Sequence, residues 1–385
     1  MAKAGSEFGM QLLWVLALSV LFAWVLMEAY GRYAVVTGET AIHSFRKKIK
    51  HGNILAIIIV VGVVVGQWNS LTGILGLSAN AIYELIHLFF PATASENYWV
   101  VLSIAVFLIV SLYGLLLVGN YSFFEKILIV FVTFMGVSFL ISMIIVFPEP
   151  SEIIVGLKPS IPQAPGGKLM VAAFVGTTMA APTFIVRPLL MKGKGWRKDN
   201  TKEQSRDALL SAILMFIISV SIMITATGAL FHEGKVIYKV LDMVSTLEPV
   251  AGKFAVAIFV FGTLSAGLSS IFPILMVAPL LIADYRNGEL DTNSKQFKVL
   301  TAVAALFGLT VPIIGANPVV AQIATQVANV FVLPMVIGAI IYLVNNEMDM
   351  GSKKAGVFLN IGLVSAFIFS CFIAYNGIIA LKELL

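Results

Sequence analysis

The stretch GTTMAAPTF, from Gly176 to Phe184, places a proline in the middle of an apolar segment that is otherwise continuous. A proline inside a helix removes one backbone donor and collides with the carbonyl of the preceding turn. Pro182 therefore predicts a broken helix. The carbonyls near this break belong to Thr177, Thr178 and Ala180. Unwound carbonyls close to the middle of a membrane are typical of secondary transporters that bind cations, and a simple helix kink is the alternative.

The rest of the chain is too apolar for a water-soluble protein. Of its 385 residues, 59% are hydrophobic and 12% are charged, whereas soluble domains contain about 45–50% apolar and about 25% charged residues. The mean hydropathy is +0.98. This composition excludes a cytosolic enzyme and a disordered linker protein, and the single cysteine, Cys371, excludes an internal disulfide. The chain is therefore expected to be solvated mostly by lipid.

Ten stretches reach the roughly 20 apolar residues that a membrane-spanning helix needs. Long apolar runs exclude a β-barrel, whose strands alternate in polarity, and so predict an all-α polytopic bundle. The connections are short and leave no room for a soluble domain, so we expect one transmembrane domain over residues 1–385. The predicted spans are 9–28, 53–73, 98–118, 123–147, 169–191, 209–230, 254–282, 299–315, 319–343 and 356–378.

The basic residues predict the orientation. If the first span enters from outside, 16 of the 25 Lys and Arg fall in connections on the inner side and seven fall in outer segments. Cytoplasmic loops carry the surplus of Lys and Arg in membrane proteins. We therefore expect a multi-pass protein of the cell membrane with the N-terminus of this chain outside and its basic loops in the cytoplasm. The net charge of +5 is then explained without a nucleic-acid partner.

An outside N-terminus requires either a signal peptide or an earlier span, and residues 1–8 (MAKAGSEF) provide neither. The simplest explanation is one further helix upstream of Met1. The expected total is then eleven spans.

Ionisable groups inside membrane spans are costly and usually mark function, yet none of the acids or histidines falls at a predicted midplane. Arg187, near the inner end of the fifth span, is expected to extend its guanidinium to the surface. This distribution argues against a proton pump or a light-driven protein. Neutral polar residues remain in several spans, and helix–helix hydrogen bonding is the ordinary interpretation of them.

Three further stretches carry a resemblance to a known family. They are AGSEFGMQLLWVLALS with GRYAVVTGETA (Ala4 to Ser19, Gly31 to Ala41), EPVAGKFAVAIFVFGTLSAGLSS (Glu248 to Ser270) and QVANVFVLP (Gln326 to Pro334). They resemble the second, eighth and tenth helices of the natural resistance-associated macrophage protein (Nramp) family of divalent-metal transporters. The resemblance implies a LeuT-type inverted-repeat bundle, with the ten spans here matching helices two to eleven.

The resemblance also implies a metal site. This chain departs from the family pattern at several positions of that site. The carbonyl of Thr177 and the side chain of Gln326 match expected ligands, and Thr178 lies beside them. Ala180, with Met179 as its neighbour, stands where the family has a metal-binding thioether. Gln67 and Ser70 stand where it has acids that move protons. The first-helix Asp-Pro-Gly-Asn motif, whose carboxylate and amide bind the metal, falls before Met1.

These departures indicate which ion is carried. Thioether sulfur favours soft transition metals, whereas carbonyls, amides and water suit Mg²⁺ and Mn²⁺, and Mg²⁺ often keeps several waters. The pattern resembles the Nramp-related magnesium transporter branch, which implies Mg²⁺ or Mn²⁺ transport without obligatory proton coupling, no cofactor and a monomer. The alternatives are a proton-coupled Mn²⁺/Fe²⁺ importer, an amino-acid-permease-like carrier of organic solutes and a transport-defective membrane paralogue. A membrane enzyme is least favoured, since the sequence shows no nucleophile–base pair.

Overall fold

The computed structural model describes residues 1–89, 97–118, 122–248, 255–286 and 290–384. Within these ranges, ten helical segments are long and apolar enough to cross a membrane, which agrees with the ten predicted spans. The α-helices, numbered in chain order, are α1 (Ala2–Phe8), α2 (Leu13–Thr37), α3 (Ala41–Lys48), α4 (Gly52–Phe89), α5 (Asn97–Val118), α6 (Ser122–Ile145), α7 (Pro150–Gly156), α8 (Gly167–Thr178), α9 (Ala181–Gly193), α10 (Thr201–Ala229), α11 (Ala255–Arg286), α12 (Lys295–Gly308), α13 (Thr310–Ile314), α14 (Pro318–Ala328), α15 (Leu333–Asn345), α16 (Glu347–Met350) and α17 (Val357–Leu384).

Several helices extend beyond the predicted spans. The first span was predicted over 9–28 and the second over 53–73, but the helical segments cover Ala2–Thr37 and Gly52–Phe89. With these extra turns, both helical segments are longer than the roughly 30 Å hydrocarbon layer requires. A helix continues through polar residues as long as its backbone hydrogen bonds and tertiary contacts hold it, so an apolar run marks only the part of the helix that lies in lipid.

The core of the bundle is formed by three spans that are more buried than the others. The most apolar window is 72% buried in the first span, 67% in α8–α9 and 61% in α14–α15, but only 22% in α5, α6 and α17. Tyr30 of α2 lies fully inside this core. Its hydroxyl donates to the carbonyl of Val336 in α15 at 2.9 Å, and its ring stacks on Phe184 of α9. The three central spans are therefore joined around one aromatic residue.

The basic connections meet at one end of the bundle. Arg46 of α3 donates to the carbonyl of Tyr285 at the end of α11, 2.7 Å away. Lys48 pairs with Asp349 of α16 at 2.8 Å. These contacts join the segments 29–52, 283–298 and 344–355, which the sequence assigns to one side of the membrane.

Candidate functional site

The fifth span is broken at Met179 and Ala180. α8 ends at Thr178 and α9 begins at Ala181, and the two linking residues have non-helical torsion angles (φ −104°, ψ 43° and φ −61°, ψ 119°). Pro182 lies in the first turn of α9. The N–H that proline lacks would have no partner within the helix at this position. The interruption lies where Pro182 predicts it.

The break leaves backbone oxygens at the end of α8. The last four carbonyls of a helix have no partner inside it. The carbonyl of Val175 accepts from the Met179 N–H at 2.7 Å, and Pro182 has no N–H to offer Thr178. The carbonyl oxygens of Thr177 and Thr178 therefore lie at the negative end of the α8 dipole, which is a favourable place for a cation.

The side chains around the break differ in their surroundings. The Thr178 side chain is buried, and its hydroxyl has no hydrogen-bond partner. Met179 is fully buried in the main hydrophobic core, Ala180 is half-buried and Thr177 is exposed. The polar atoms at the break are thus carbonyl and hydroxyl oxygens, while the Met179 side chain packs among apolar neighbours.

Helix α14 brings Gln326 against this break. A Cβ built on Gly176 would lie 2.0 Å from the Gln326 carbonyl oxygen, so only glycine allows the two helices to approach so closely. The buried Gln326 side chain donates from Nε2 to the Ser70 hydroxyl of α4 at 2.8 Å. Its Oε1 accepts from Asn329 Nδ2 at 3.1 Å. The Gln326 side chain is therefore held between α4 and the turn that follows its own helix, beside the end of α8.

A second interruption lies next to Gln326, inside the stretch 319–343 that the sequence predicts as one span, and it was not predicted. α14 ends at Ala328, a 3₁₀ turn covers Asn329–Phe331, and α15 begins at Leu333. Pro334 lies in the first turn of α15 and was the available signal. The three-residue spacing of Gln326 and Asn329, which places both on one helix face, was a signal for their contact.

The two positions on α4 have different surroundings. Ser70 is buried, and its hydroxyl accepts the hydrogen bond that holds the Gln326 side chain in place. The resemblance implies only that Ser70 stands where the family has a proton-carrying acid, so this role was not expected. Gln67, one turn earlier, is half-buried. Within the described ranges no hydrogen bond joins Gln67 to Gln326.

The charged residues nearest the break lie on α9, toward the basic connection that follows it. Among the described residues there is no group of three or more His, Cys, Asp or Glu that could hold a metal ion. Arg187 does not extend to the surface as expected. Its side chain is buried and pairs with Asp207 of α10 at 2.8 Å, while Lys194 contacts the same carboxylate at 3.3 Å. Asp207 lies within reach on the neighbouring helix, and an ion pair there spares the guanidinium from being buried alone.

The family follows from a match over nearly the whole chain. The profile described as "Natural resistance-associated macrophage protein-like" matches residues 1–380. The chain belongs to the Nramp family. This confirms the resemblance read from the sequence. Because members of this family are transporters, it also confirms that the Nramp chain is not an enzyme.

Curated relatives of this Nramp chain are named divalent metal cation transporter MntH. A protein of Klebsiella pneumoniae (strain 342) is 22% identical over 354 residues, which are 91% of this chain and 81% of that protein. MntH 1 of Pseudomonas aeruginosa is 22% identical over 324 residues, 80% of this chain and 70% of the relative. The match to a Caldanaerobacter subterraneus MntH covers 40% of this chain and only 35% of that protein, at 26% identity.

Solved structures show the same fold. A mutant of the Eremococcus coleocola manganese transporter superposes with a TM-score of 0.73 at 14% identity, covering 98% of this chain and 81% of that one. Mhp1, a nucleobase-cation-symport-1 family transporter, gives a TM-score of 0.56 at 14% identity, with 99% and 86% coverage. The fold of this Nramp chain is therefore LeuT-type, as the family resemblance implies.

Proposed function

We propose that this Nramp chain is a secondary transporter that moves divalent metal cations across the membrane by alternating access, with Mg²⁺ and Mn²⁺ as the preferred ions. The family and the names of its relatives support divalent cations as the substrate class. Two discontinuous helices that meet in the most buried part of the bundle support alternating access, since secondary transporters place their ion sites at such breaks.

The observation that carries the proposal is the set of neutral oxygens at the break in α8–α9. The carbonyls of Thr177 and Thr178, the unpaired Thr178 hydroxyl and the Gln326 side chain lie on elements that meet there. Gln326 Oε1 already accepts one hydrogen bond and has a second lone pair to offer. Oxygen donors of this kind suit a hard cation that keeps part of its water shell.

The same positions support transport without obligatory proton coupling. Gln67 and Ser70, which stand where the family has acids, cannot exchange a proton near neutral pH. Ser70 is instead engaged with Gln326. Ala180 brings a methyl group to the position of the family's thioether, so the site lacks a soft ligand there.

We also propose that the end of the bundle that carries the basic connections faces the cytoplasm. The contacts of Arg46 and Lys48 gather these connections on one side. The surplus of Lys and Arg in cytoplasmic loops supports this orientation.

The test is uptake into liposomes that contain the purified chain and report both metal entry and lumen pH. We expect Mg²⁺ and Mn²⁺ to enter without a stoichiometric change in lumen pH. Acidification in proportion to metal entry would instead support a proton-coupled importer. Uptake of amino acids without metal would support an organic-solute carrier, and no uptake of any kind would overturn the proposal of transport.

The variant Q326L tests the site, because leucine keeps the side-chain volume but removes the amide. A lost hydrogen-bonding partner for a charged group costs about 1.5–3 kcal/mol, so we expect metal uptake at low concentration to fall by about tenfold or more. The matched control is T325V on the same helix, because the Thr325 hydroxyl donates to the carbonyl of Gln322 in the preceding turn. Equal uptake by Q326L and T325V would remove Gln326 from the site.

A further inference from the structure

A long apolar groove runs along the outside of the bundle, away from the metal site. It has a volume of about 830 Å³ and lies between α2, α10 and the start of α17. Its apolar walls come from all three helices. They include Phe22, Trp24, Val25, Leu209, Phe358 and Ile361.

The α17 wall of the groove has little protein cover. Phe358 is 93% exposed and Ile361 is 60% exposed. Because α17 is long and apolar enough to cross a membrane, we expect these side chains to face lipid. The opposite wall, on α2, is packed, since Phe22 and Val25 are buried. The groove is therefore open to lipid on one side and has a firm floor on the other.

One end of the groove is charged. Glu28, Arg32, Ser205 and Arg206 line it there. Glu28 accepts from Arg32 through both Nε, at 3.0 Å, and Nη2, at 2.6 Å, so these two charges offset each other. Arg206 is exposed and forms no ion pair with any residue in the described ranges. The net charge at this end is positive, and within the described ranges its unpaired charge is the Arg206 guanidinium.

We propose that this groove binds a phospholipid with an anionic headgroup. Its phosphate is held by Arg206 and the Ser205 hydroxyl, and an acyl chain lies along the apolar walls toward Leu21 and Phe22. A guanidinium matches phosphate geometry well. The charged end coincides with the end of α2 and α10 where the basic connections lie, which is the depth of the headgroups. A basic pocket between membrane helices at that depth is a typical site for an anionic headgroup.

A bound lipid of this kind would join α17 to the pair formed by α2 and α10. In this part of the bundle α2 and α10 pack extensively on each other, whereas α17 packs chiefly on α8 and α15 and touches α2 less. The lipid would fill the gap that remains between them. This inference does not depend on the transported ion.

Trp24 provides a direct probe, because it lines the groove. The purified chain is placed in mixed micelles or nanodiscs with phosphatidylglycerol or phosphatidylcholine that carry bromine on the acyl chains. Bromine quenches tryptophan fluorescence only near contact. The Trp24 signal is the difference between the wild type and W24F. We expect brominated phosphatidylglycerol to quench it at about one-fifth of the concentration that phosphatidylcholine needs, as one favourable basic residue at the surface predicts.

The variant R206Q should bring the two lipids to equal quenching. The control K202Q removes an exposed positive charge one turn earlier on α10, outside the groove, and should keep the preference. Equal quenching by both lipids in the wild type would overturn the proposal, and so would a preference that survives R206Q or remains in W24F. A Trp24 signal that brominated lipid does not change, in a chain that elutes as a dimer, would show that a second copy occupies the groove.

Discussion

Ala180 is the position at which a single substitution tests the proposed ion preference most directly. It is half-buried and lies between the carbonyl of Thr178 and the first turn of α9, so a longer side chain there would reach the break. We expect A180M to raise uptake of Cd²⁺ relative to Mg²⁺ by about tenfold, because thioether sulfur favours soft metals. The measurement is uptake of one ion in competition with the other.

The control for A180M is L189M, which adds a thioether on the same helix, further from the break. It should keep the wild-type ratio of Cd²⁺ to Mg²⁺. If A180M also keeps that ratio, position 180 does not face the transported ion.

Thr178 combines a stability cost with a proposed role. A buried polar group without a partner costs about 1–3 kcal/mol, and the Thr178 hydroxyl is in that situation. We therefore expect T178V, which exchanges the hydroxyl for a methyl of similar size, to raise the thermal unfolding temperature of the metal-free protein by a few degrees. The same variant should lower metal uptake severalfold, since the ion loses one oxygen.

The two readouts for T178V separate a structural role from a functional one. A higher unfolding temperature with unchanged uptake would mean that the hydroxyl is idle, and a lower unfolding temperature would mean that it has a partner in the folded protein. T178S keeps the hydroxyl and should resemble the wild type in uptake.

At the scale of the helix, the close approach of α8 and α14 sets the position of Gln326. We expect G176A to push the helices apart, because its Cβ would lie 2.0 Å from a backbone oxygen that cannot rotate away. Overpacking of this kind costs about 1–3 kcal/mol. The unfolding temperature should fall by several degrees, and uptake should fall further than Q326L alone lowers it.

G193A is the matched control for G176A. Gly193 lies at the end of α9, and a Cβ there meets no atom within 4 Å. Alanine at this position should be neutral or slightly stabilising, since glycine is the poorer helix former. If G176A proved equally harmless, the contact between α8 and α14 would be looser than the structure indicates.

The two helix breaks show what the sequence could predict. Pro182 interrupts an apolar run in its middle, so one proline was sufficient to predict the break between α8 and α9. The break after Ala328 starts as a 3₁₀ turn several residues before Pro334. That turn follows Gln326, whose hydrogen bond to Ser70 joins two helices that are far apart in the sequence and cannot be read from a run of apolar residues. The number of spans was predictable because each crossing of the bilayer requires a run of about 20 apolar residues. The ends of the helices were not predictable, because they depend on contacts made outside the hydrocarbon.

For the whole molecule, burial distinguishes the spans better than hydropathy does. The most apolar window of α5 is more hydrophobic than that of α8–α9, yet it is 22% buried and that of α8–α9 is 67% buried. Lipid and protein interior are both apolar, so the sequence marks a span without saying which of the two surrounds it. The most buried spans lie at the centre, where the two broken helices meet.

The basic end of the molecule is held by a network of charges outside the membrane spans. Glu39, in the turn before α3, accepts from Ser44 at 3.0 Å and from Tyr33 at 3.1 Å, and it pairs with Lys48 at 2.5 Å. Lys48 also pairs with Asp349 of α16. Burial alone would raise the pKa of Glu39, but the hydrogen bonds from Lys48 and Ser44 outweigh it and leave this pKa below 4.5. Burial likewise opposes the charge of Lys48, yet Asp349 and Glu39 raise its pKa above 10.5.

The sign of each shift gives the pH range of this network. Folded Glu39 binds its proton more weakly than unfolded Glu39, so its contribution is present above pH 4.5 and is lost as the pH falls below that value. Lys48 contributes below pH 10.5 and loses its contribution as the pH rises past it. We expect the contribution of the Glu39–Lys48 pair to the unfolding temperature to be nearly constant between these limits and to fall on both sides.

E39Q isolates the acid limb of that profile. Near pH 7 it should lower the unfolding temperature by only about 1–2 °C, because a partly exposed pair contributes little. The further fall on going from about pH 5 to about pH 3.5 should then be smaller than in the wild type, since the variant has no carboxylate to protonate there. E203Q removes an exposed carboxylate on α10 and should retain most of the wild-type fall. An acid limb equally steep in E39Q and the wild type would place the acid sensitivity outside the network that joins α3 to α16.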